Sequence, residues 1–137
     1  MDQTRFEKIL KKNGLRLTST RKSLYKTLAG YNRPIGVNTL VNALSSQVDR
    51  SSVYRNIETF SSIGVVNKVY TGWKYRLELS EKFRPHHHHI TCEKCGVIIP
   101  LQLGNTTELA LIRAGMKRGF KVKNHEVELR GLCKNCS

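Results

Sequence analysis

The sequence HHHHITCEKCG, residues 86–96, joins four histidines to a Cys-x-x-Cys turn and predicts that this part of the chain binds metal. A second such turn, CKNC at residues 133–136, follows about 37 residues later. Each turn presents two thiolates, and zinc takes four ligands in a tetrahedron. One Cys-x-x-Cys can also be a redox pair, but two pairs with no spare cysteine favour a single site with four cysteine ligands. The predicted ligands of a structural zinc ion are Cys92, Cys95, Cys133 and Cys136.

The four consecutive histidines predict metal binding by two separate groups of side chains. Side chains alternate between the two faces of a β-strand, so His86 and His88 face one way and His87 and His89 the other. The other candidate donors are His125 near the last strand, Glu108 on a predicted helix, and Glu78 and Glu81 beside a linker. Mixed imidazole and carboxylate ligands suit zinc, iron(II), manganese or nickel, so ligand type alone leaves the metal open.

Residues 86–137 have the pattern of a small α+β domain with little core. Strands are predicted at residues 86–91, 97–101, 120–123 and 126–132, and a helix at about residues 106–117. A zinc site made of the four cysteines would hold the end of the chain against the first strand and thereby stabilise a domain of this size.

The first 80 residues predict a winged helix-turn-helix domain. Apolar residues recur at helical spacing in segments separated by glycine, proline and capping residues. Two β-like runs, residues 65–70 and 74–79, follow with a tight turn between them. Helices followed by such a hairpin form the winged version of a DNA-reading motif. The chain is therefore predicted to be α+β, with domains at residues 1–80 and 86–137 joined by a polar hinge at residues 81–85.

The helix that follows Asp49 is the predicted DNA-reading element. Val53, Ile57 and Phe60 recur at i, i+4 and i+7 and predict its buried face. A recognition helix reads base edges with its first turns, where arginine can bind guanine and tyrosine can contact a thymine methyl group or a phosphate. The predicted DNA-contacting residues are Arg16, Arg21, Arg50, Ser51, Ser52, Tyr54 and Arg55.

The charge of the chain favours a polyanionic partner. The formal net charge is +14, and residues 1–84 carry 16 Lys and Arg against 6 Asp and Glu. Such an excess in one domain is typical of proteins that bind phosphate backbones, although solubility alone also selects for charge. The polar N-terminus shows no secretory signal, and no apolar run approaches the ~20 residues that a membrane span needs. A cytoplasmic protein with reduced thiols and no membrane partner is expected.

These residues resemble the ferric uptake regulator (Fur) family over nearly the whole chain. The resemblance is carried by Gly14-Leu15-Arg16-Leu17-Thr18 with Arg21, by Ser52-Val53-Tyr54-Arg55-Asn56-Ile57, by Gly64-Val65-Val66, by residues 86–96, by Asn124-His125 and by the final cysteine pair. Such regulators are cytosolic homodimers. Their N-terminal domains bind palindromic operators in double-stranded DNA, and their C-terminal domains dimerise and sense metal.

The resemblance also implies roles for the candidate ligands. It assigns the four cysteines to structural zinc. It assigns His87 and His89, with a carboxylate from Glu78 or Glu81, to a regulatory site at the hinge. It assigns His86, His88, Glu108 and His125 to a further site inside the dimerisation domain.

The function that the resemblance implies is a metal-responsive repressor of metal-uptake genes, not an enzyme. Iron(II) is favoured over zinc or manganese as the regulatory metal, because the family's zinc sensors often use an extra cysteine and none is spare here. One alternative is a peroxide sensor of the same family, in which oxidation of His87 or His89 releases DNA. Another is a zinc-binding RNA-interaction module. A metallohydrolase is not expected, since its general base could come only from the same histidines and glutamates.

Overall fold

The computed structural model describes residues 2–137 and divides them into two compact units, one ending at Pro85 and one running from His86 to Ser137. The described part of the first unit contains, in chain order, α1 (Gln3–Lys12), α2 (Ser19–Ala29), β1 (Ile35–Gly36), α3 (Val37–Ala43), α4 (Arg50–Ser62), β2 (Val66–Thr71) and β3 (Lys74–Leu79). Strand β3 lies between β1 and β2 and is antiparallel to both. Helices followed by the β2–β3 hairpin confirm the predicted winged helix-turn-helix.

Capping residues set where the helices of the first unit begin and end. The hydroxyl of Thr18 accepts a hydrogen bond from the backbone N–H of Arg21, and the carboxylate of Asp49 accepts one from that of Ser52 at 3.1 Å. These contacts satisfy backbone donors that a helix leaves unpaired at its start. Gly64 follows α4 with a φ of +77°, a backbone conformation that favours glycine. The start of α4 at Arg50, directly after Asp49, thus agrees with the cap that the sequence predicts.

An aromatic cluster forms the centre of the first unit. The ring of Phe6 stacks on that of Tyr25 with 4.3 Å between centroids and meets the edge of Phe60 at 5.4 Å. Val53, Ile57 and Phe60 are fully buried, as their spacing predicts. Because this face of α4 is fixed in the core, the opposite face is presented outward.

The residues after β3 are fastened to the first unit. Ser80 donates a hydrogen bond from its hydroxyl to the carbonyl of Gly64 at 2.7 Å. The ring of Phe83 packs edge-on against Tyr25 with 5.3 Å between centroids. The guanidinium of Arg84 donates to the carbonyls of two residues at the end of α2, Leu28 and Tyr31. The segment predicted as a hinge thus makes specific contacts with the first unit as far as Arg84.

The second unit contains β4 (His88–Cys92), β5 (Ile98–Leu101), α5 (Asn105–Lys117) and β6 (Glu128–Gly131). Strand β4 lies in the middle of the sheet, antiparallel to β5 and parallel to β6. Within residues 2–137, no helix is long and apolar enough to cross a membrane.

The prediction of a strand at residues 120–123 is wrong. This segment pairs with no strand among the described residues, and Phe120 is 71% exposed. Instead, the side chain of Val122 packs against Gly115 of α5. A Cβ placed at Gly115 would lie 2.6 Å from Cγ2 of Val122, closer than carbon atoms approach, so any larger residue here would force Val122 to shift.

Candidate metal centres and nucleic-acid interface

The four cysteines lie together in the second unit. Cys92 ends β4 and Cys95 follows in the next turn, while Cys133 and Cys136 follow β6, which pairs beside β4. The four sulfur atoms lie within 4.8 Å of one another, and those of Cys95 and Cys133 are 3.8 Å apart. A tetrahedral zinc site with Zn–S bonds of about 2.3 Å has sulfurs about 3.8 Å apart. Disulfides need about 2.05 Å, so the spacing fits a metal and not a cystine.

The electrostatics of the cysteine cluster also favour a bound cation. Backbone N–H groups of Cys95 and Cys133 point at the sulfur of Cys92 and lower its pKa to about 6. The sulfur of Cys133, burial and the remaining two sulfurs raise the pKa of Cys136 to about 12. The cluster therefore accepts a first thiolate easily and opposes the last one. A divalent cation offsets this repulsion, and four thiolates are a donor set that suits structural zinc.

A second cluster joins His86, His88, Glu108 and His125, whose donor atoms lie within 4.8 Å of one another. His88 is on β4 and only 1% exposed, and its Nε2 lies 2.7 Å from Oε1 of Glu108 in the first turn of α5. The Nε2 atoms of His86 and His125 are 3.3 Å apart, and His125 also contacts Glu108. Strand β4, helix α5 and the segments that precede β4 and β6 thus bring together the group that the resemblance assigns to the dimerisation-domain site.

The carboxylate of Glu108 is held as an anion. Burial alone raises its pKa, but hydrogen bonds from His88 and His125 and the electrostatic attraction of these rings outweigh burial and lower it. Three imidazoles around one carboxylate form a donor set that suits iron(II), zinc or manganese. The backbone N–H of Val127 also donates to Nδ1 of His88 at 3.0 Å, a contact that the sequence pattern did not indicate.

His87 and His89 form a separate pair, as strand alternation predicts. Their ring centroids are 4.9 Å apart, and neither residue belongs to the group around Glu108. In the first unit, Glu78 is buried near the end of β3, whereas Glu81 is exposed.

The first turns of α4 present a polar surface with a specific internal arrangement. The carboxylate of Asp49 accepts hydrogen bonds from the hydroxyls of both Ser51 and Ser52. These bonds hold the pKa of Asp49 well below its usual range. Tyr54 and Arg55 are exposed, and Arg55 donates to the Ser52 hydroxyl at 3.2 Å. The serines are therefore engaged within the helix start, which leaves Tyr54 and Arg55 as the most available side chains for a ligand.

The other predicted contact residues differ in their surroundings. Arg50 is exposed and donates to the side chain of Asn38 at 3.2 Å. Arg21 is partly buried; its Nε donates to the side chain of Asn56 on α4 at 3.1 Å, and its Nη1 donates to the carbonyl of Arg16 at 2.8 Å. Arg21 thus ties α2 to α4, a structural role that its position in the sequence did not indicate.

Comparison with known proteins agrees with this arrangement. The model of the Ferric uptake regulator family matches residues 12–130. The peroxide-responsive repressor PerR of Staphylococcus saprophyticus is 29% identical over 131 residues, which cover 93% of this chain and 86% of that protein. The Helicobacter pylori ferric uptake regulator has a TM-score of 0.85 at 22% identity, covering 99% of this chain and 93% of that one. The Vibrio cholerae ferric uptake regulator has a TM-score of 0.76 at 25% identity, covering 93% and 98%.

The chain belongs to the ferric uptake regulator family, since the family match extends over most of its length. Members of this family are metal-responsive, DNA-binding transcription regulators. The predicted family, the α+β fold and the four-cysteine cluster are confirmed.

Proposed function

We propose that this chain is a cytoplasmic, homodimeric repressor that binds a palindromic DNA operator when iron(II) is plentiful. The observation that carries the proposal is the pairing of two metal-ligand clusters in one unit with an exposed, basic helix start in the other. Iron(II) is favoured over zinc or manganese because all four cysteines belong to the thiolate cluster, which leaves histidine and carboxylate ligands for a second metal. The staphylococcal relative is itself a repressor.

The proposed metal sites divide the ligands into three groups. Cys92, Cys95, Cys133 and Cys136 hold structural zinc. His86, His88, Glu108 and His125 hold a metal within the second unit. His87 and His89, with Glu78 or Glu81, hold the regulatory metal at the hinge, residues 81–85, between the DNA-binding domain (residues 1–80) and the dimerisation domain (residues 86–137). The Helicobacter pylori regulator has three functional metal-binding sites, which supports this count.

The proposed switch is a thermodynamic linkage. If metal binds more tightly to the conformation that fits the operator, metal raises DNA affinity, and DNA raises metal affinity by the same factor. The contacts to DNA are made by Tyr54 and Arg55, and by Arg50 where it can leave Asn38. Arg16 and other basic residues of the first unit hold the phosphate backbone.

An apolar surface on the second unit supports the homodimer. Ile90, Ile99 and Leu129 are cross-strand neighbours in the sheet, and all three are exposed. Leu109 and Met116 of α5 are exposed as well. A row of exposed apolar side chains across a sheet, such as Ile90, Ile99 and Leu129, is typical of a subunit interface. Sedimentation equilibrium should give a dimer for the native chain and a monomer for Leu129→Glu.

The main test is metal-dependent DNA binding. A duplex selected from a random pool with manganese-loaded protein serves as operator, and fluorescence anisotropy of the labelled duplex then measures affinity without metal and with iron(II), zinc or manganese. Metal should raise affinity by roughly 5- to 150-fold, the usual range of allosteric coupling, and iron(II) should give the largest gain. Glu126→Gln changes an exposed acid outside both clusters and is the control variant for the metal dependence of DNA affinity. Equal affinity with and without metal, while one zinc per chain remains, would refute the switch.

Single substitutions decide which carboxylate completes the hinge site. Glu78→Gln and Glu81→Gln are compared by metal titration in the same anisotropy assay. Only the ligand's substitution should shift the metal midpoint, and His87→Ala should shift it as well. If neither glutamine variant moves the midpoint, the hinge site uses no carboxylate from this pair.

Peroxide sensing is a second candidate, favoured by the similarity to PerR. In this mechanism, hydrogen peroxide transfers one oxygen atom to an imidazole of His87 or His89, and its other oxygen atom leaves as water. The oxidised site then releases DNA. Mass spectrometry of iron-loaded protein after peroxide treatment should show the added oxygen on one of these residues. Unmodified histidines after DNA release would exclude this mechanism.

A further inference from the structure

The turn of the β2–β3 hairpin exposes the chain's one tryptophan. Trp73 is 98% exposed, and Tyr70 beside it is 56% exposed. Gly72 precedes Trp73 with a φ of +65°, so the turn is built from a residue suited to that conformation. Trp73 follows at the tip of the hairpin, where the described side chains of the first unit leave it uncovered. Tryptophan and tyrosine are enriched where one molecule contacts another, so an exposed indole at the tip, near an exposed tyrosine, indicates a contact surface.

This hairpin is held firmly against α4. Nζ of Lys68 on β2 lies 2.6 Å from Oε1 of Glu58 on α4 and 4.8 Å from the ring centroid of Tyr75 on β3. The backbone N–H of Val65 donates to the carbonyl of Phe60 at the end of α4. A molecule bound along the outer face of α4 therefore meets the hairpin tip at a fixed distance and orientation.

The charge around the tip favours a polyanion over an apolar partner. Lys74 and Arg76 follow Trp73 on β3, and Lys74 is exposed. The acidic residue of this strand, Glu78, is buried at the far end, away from the tip. An indole with its N–H donor beside a lysine matches a deoxyribose ring and the phosphate next to it.

We infer that Trp73 and Lys74 form a second DNA contact, in which the indole packs on the sugar of the backbone flanking the half-site and Lys74 binds a phosphate. The inference rests on the proposed DNA-binding function and names an additional contact within it. Because sugar and phosphate carry no base identity, this contact adds affinity without sequence preference and requires a duplex that extends beyond the bases read by α4.

The lone tryptophan makes the contact directly measurable. Metal-loaded full-length protein is titrated with the selected operator while anisotropy of the labelled duplex reports DNA binding independently. Tryptophan emission should shift to the blue and become protected from acrylamide at the same DNA concentration at which anisotropy rises. A rise in anisotropy with unchanged emission overturns this inference and leaves the proposed function standing. No rise with any duplex, with or without metal, contradicts both.

Variants at the tip distinguish the contribution of Trp73 to DNA affinity from that of Lys74. Trp73→Ala should weaken binding to operator and to unrelated duplex equally, by about five- to tenfold, in the range of one aromatic contact to nucleic acid. Trp73→Phe, the matched control, should restore most of the loss. Lys74→Gln should reduce the slope of log affinity against log salt by about one, whereas Trp73→Ala should leave the slope unchanged. A loss confined to the operator would overturn the inference.

Shortened duplexes and other occupants complete the test. On a duplex trimmed to the half-sites, native protein and Trp73→Ala should bind equally, because the flanking sugar is missing. A blue shift that depends on protein concentration without DNA would assign the tip to a second copy of the chain. A larger shift with anionic phosphatidylglycerol vesicles than with DNA would assign it to a lipid surface. Either result overturns the inference.

Discussion

The backbone N–H of Val127 donates a hydrogen bond to Nδ1 of His88, with 3.0 Å between the two nitrogens. Nδ1 therefore carries no proton, and a neutral ring keeps its proton on Nε2, which faces Glu108 at 2.7 Å. If His88 bound a metal ion through Nε2, the ion would replace that proton and a neutral ring would carry its proton on Nδ1, directed at the N–H of Val127. Two N–H groups cannot share one hydrogen bond, so metal binding at Nε2 would require the Val127 amide to move.

Val127 should therefore report metal binding at His88. Adding zinc beyond the structural equivalent to nitrogen-15-labelled protein should shift the Val127 amide resonance strongly. The amide of Phe120, which donates to the carbonyl of Gly115, is the control and should stay in place. Glu108→Gln should weaken the effect by removing a charged ligand. If the second zinc equivalent binds and the Val127 resonance does not move, zinc is not held by Nε2 of His88.

Removing one thiolate should unfold the second unit and spare the first. Structural zinc contributes on the order of 10 kcal/mol in zinc-finger peptides, comparable with the whole stability of a small domain. Cys92→Ser should lose its zinc, and amides of β4 and β6 should exchange rapidly with deuterium while those of α4 stay protected. Lys94→Gln, in the same turn, should keep both zinc and protection. Protected β4 amides in zinc-free Cys92→Ser would contradict the structural role of zinc.

The sequence predicted those parts of the fold in which one residue type at one spacing has one main use. Val53, Ile57 and Phe60 identified the inner face of α4, and Asp49 its start. The two Cys-x-x-Cys turns identified a cluster formed across strands distant in the chain. Strand alternation alone predicted that His86 and His88 separate from His87 and His89.

The parts that the sequence did not predict depend on which neighbours are available in space. Residues 120–123 have the apolar pattern of a strand, but pattern alone cannot show that Val122 packs on α5 at Gly115. Residues 80–85 are polar enough to resemble a free linker, yet Phe83 and Arg84 attach them to α2. The contact between Arg21 and Asn56 joins two helices through residues that lie 35 positions apart in the chain, and no local pattern encodes such a contact.

The contact between Gly115 and Val122 predicts that Gly→Ala has the opposite effect on stability here from its effect in an ordinary helix. In an ordinary helix, Gly→Ala stabilises by about 1 kcal/mol. Here the added methyl would lie 2.6 Å from Val122, and overpacking of this kind costs typically about 1–3 kcal/mol. Gly115→Ala should therefore lower the free energy of unfolding, measured by urea denaturation of zinc-loaded protein. In a Val122→Ala background the same substitution should raise it. Stabilisation by Gly115→Ala alone would show that Val122 can move aside freely.

Arg55 and Arg21 should differ in what their loss does to DNA binding. Arg55 is exposed, with one hydrogen bond to Ser52, so Arg55→Ala should leave thermal stability unchanged. It should cost about 1–3 kcal/mol of operator affinity and relax discrimination at one base pair. Arg21 instead joins Asn56 and the carbonyl of Arg16, so Arg21→Ala should lower thermal stability and weaken binding to all duplexes alike. Arg21→Lys keeps the charge without the paired hydrogen bonds and should still lose stability. Anisotropy with the operator and its point-substituted duplexes, beside thermal unfolding, measures both effects. If Arg55→Ala weakened all duplexes equally, its guanidinium would be a phosphate contact and base reading would fall to Tyr54.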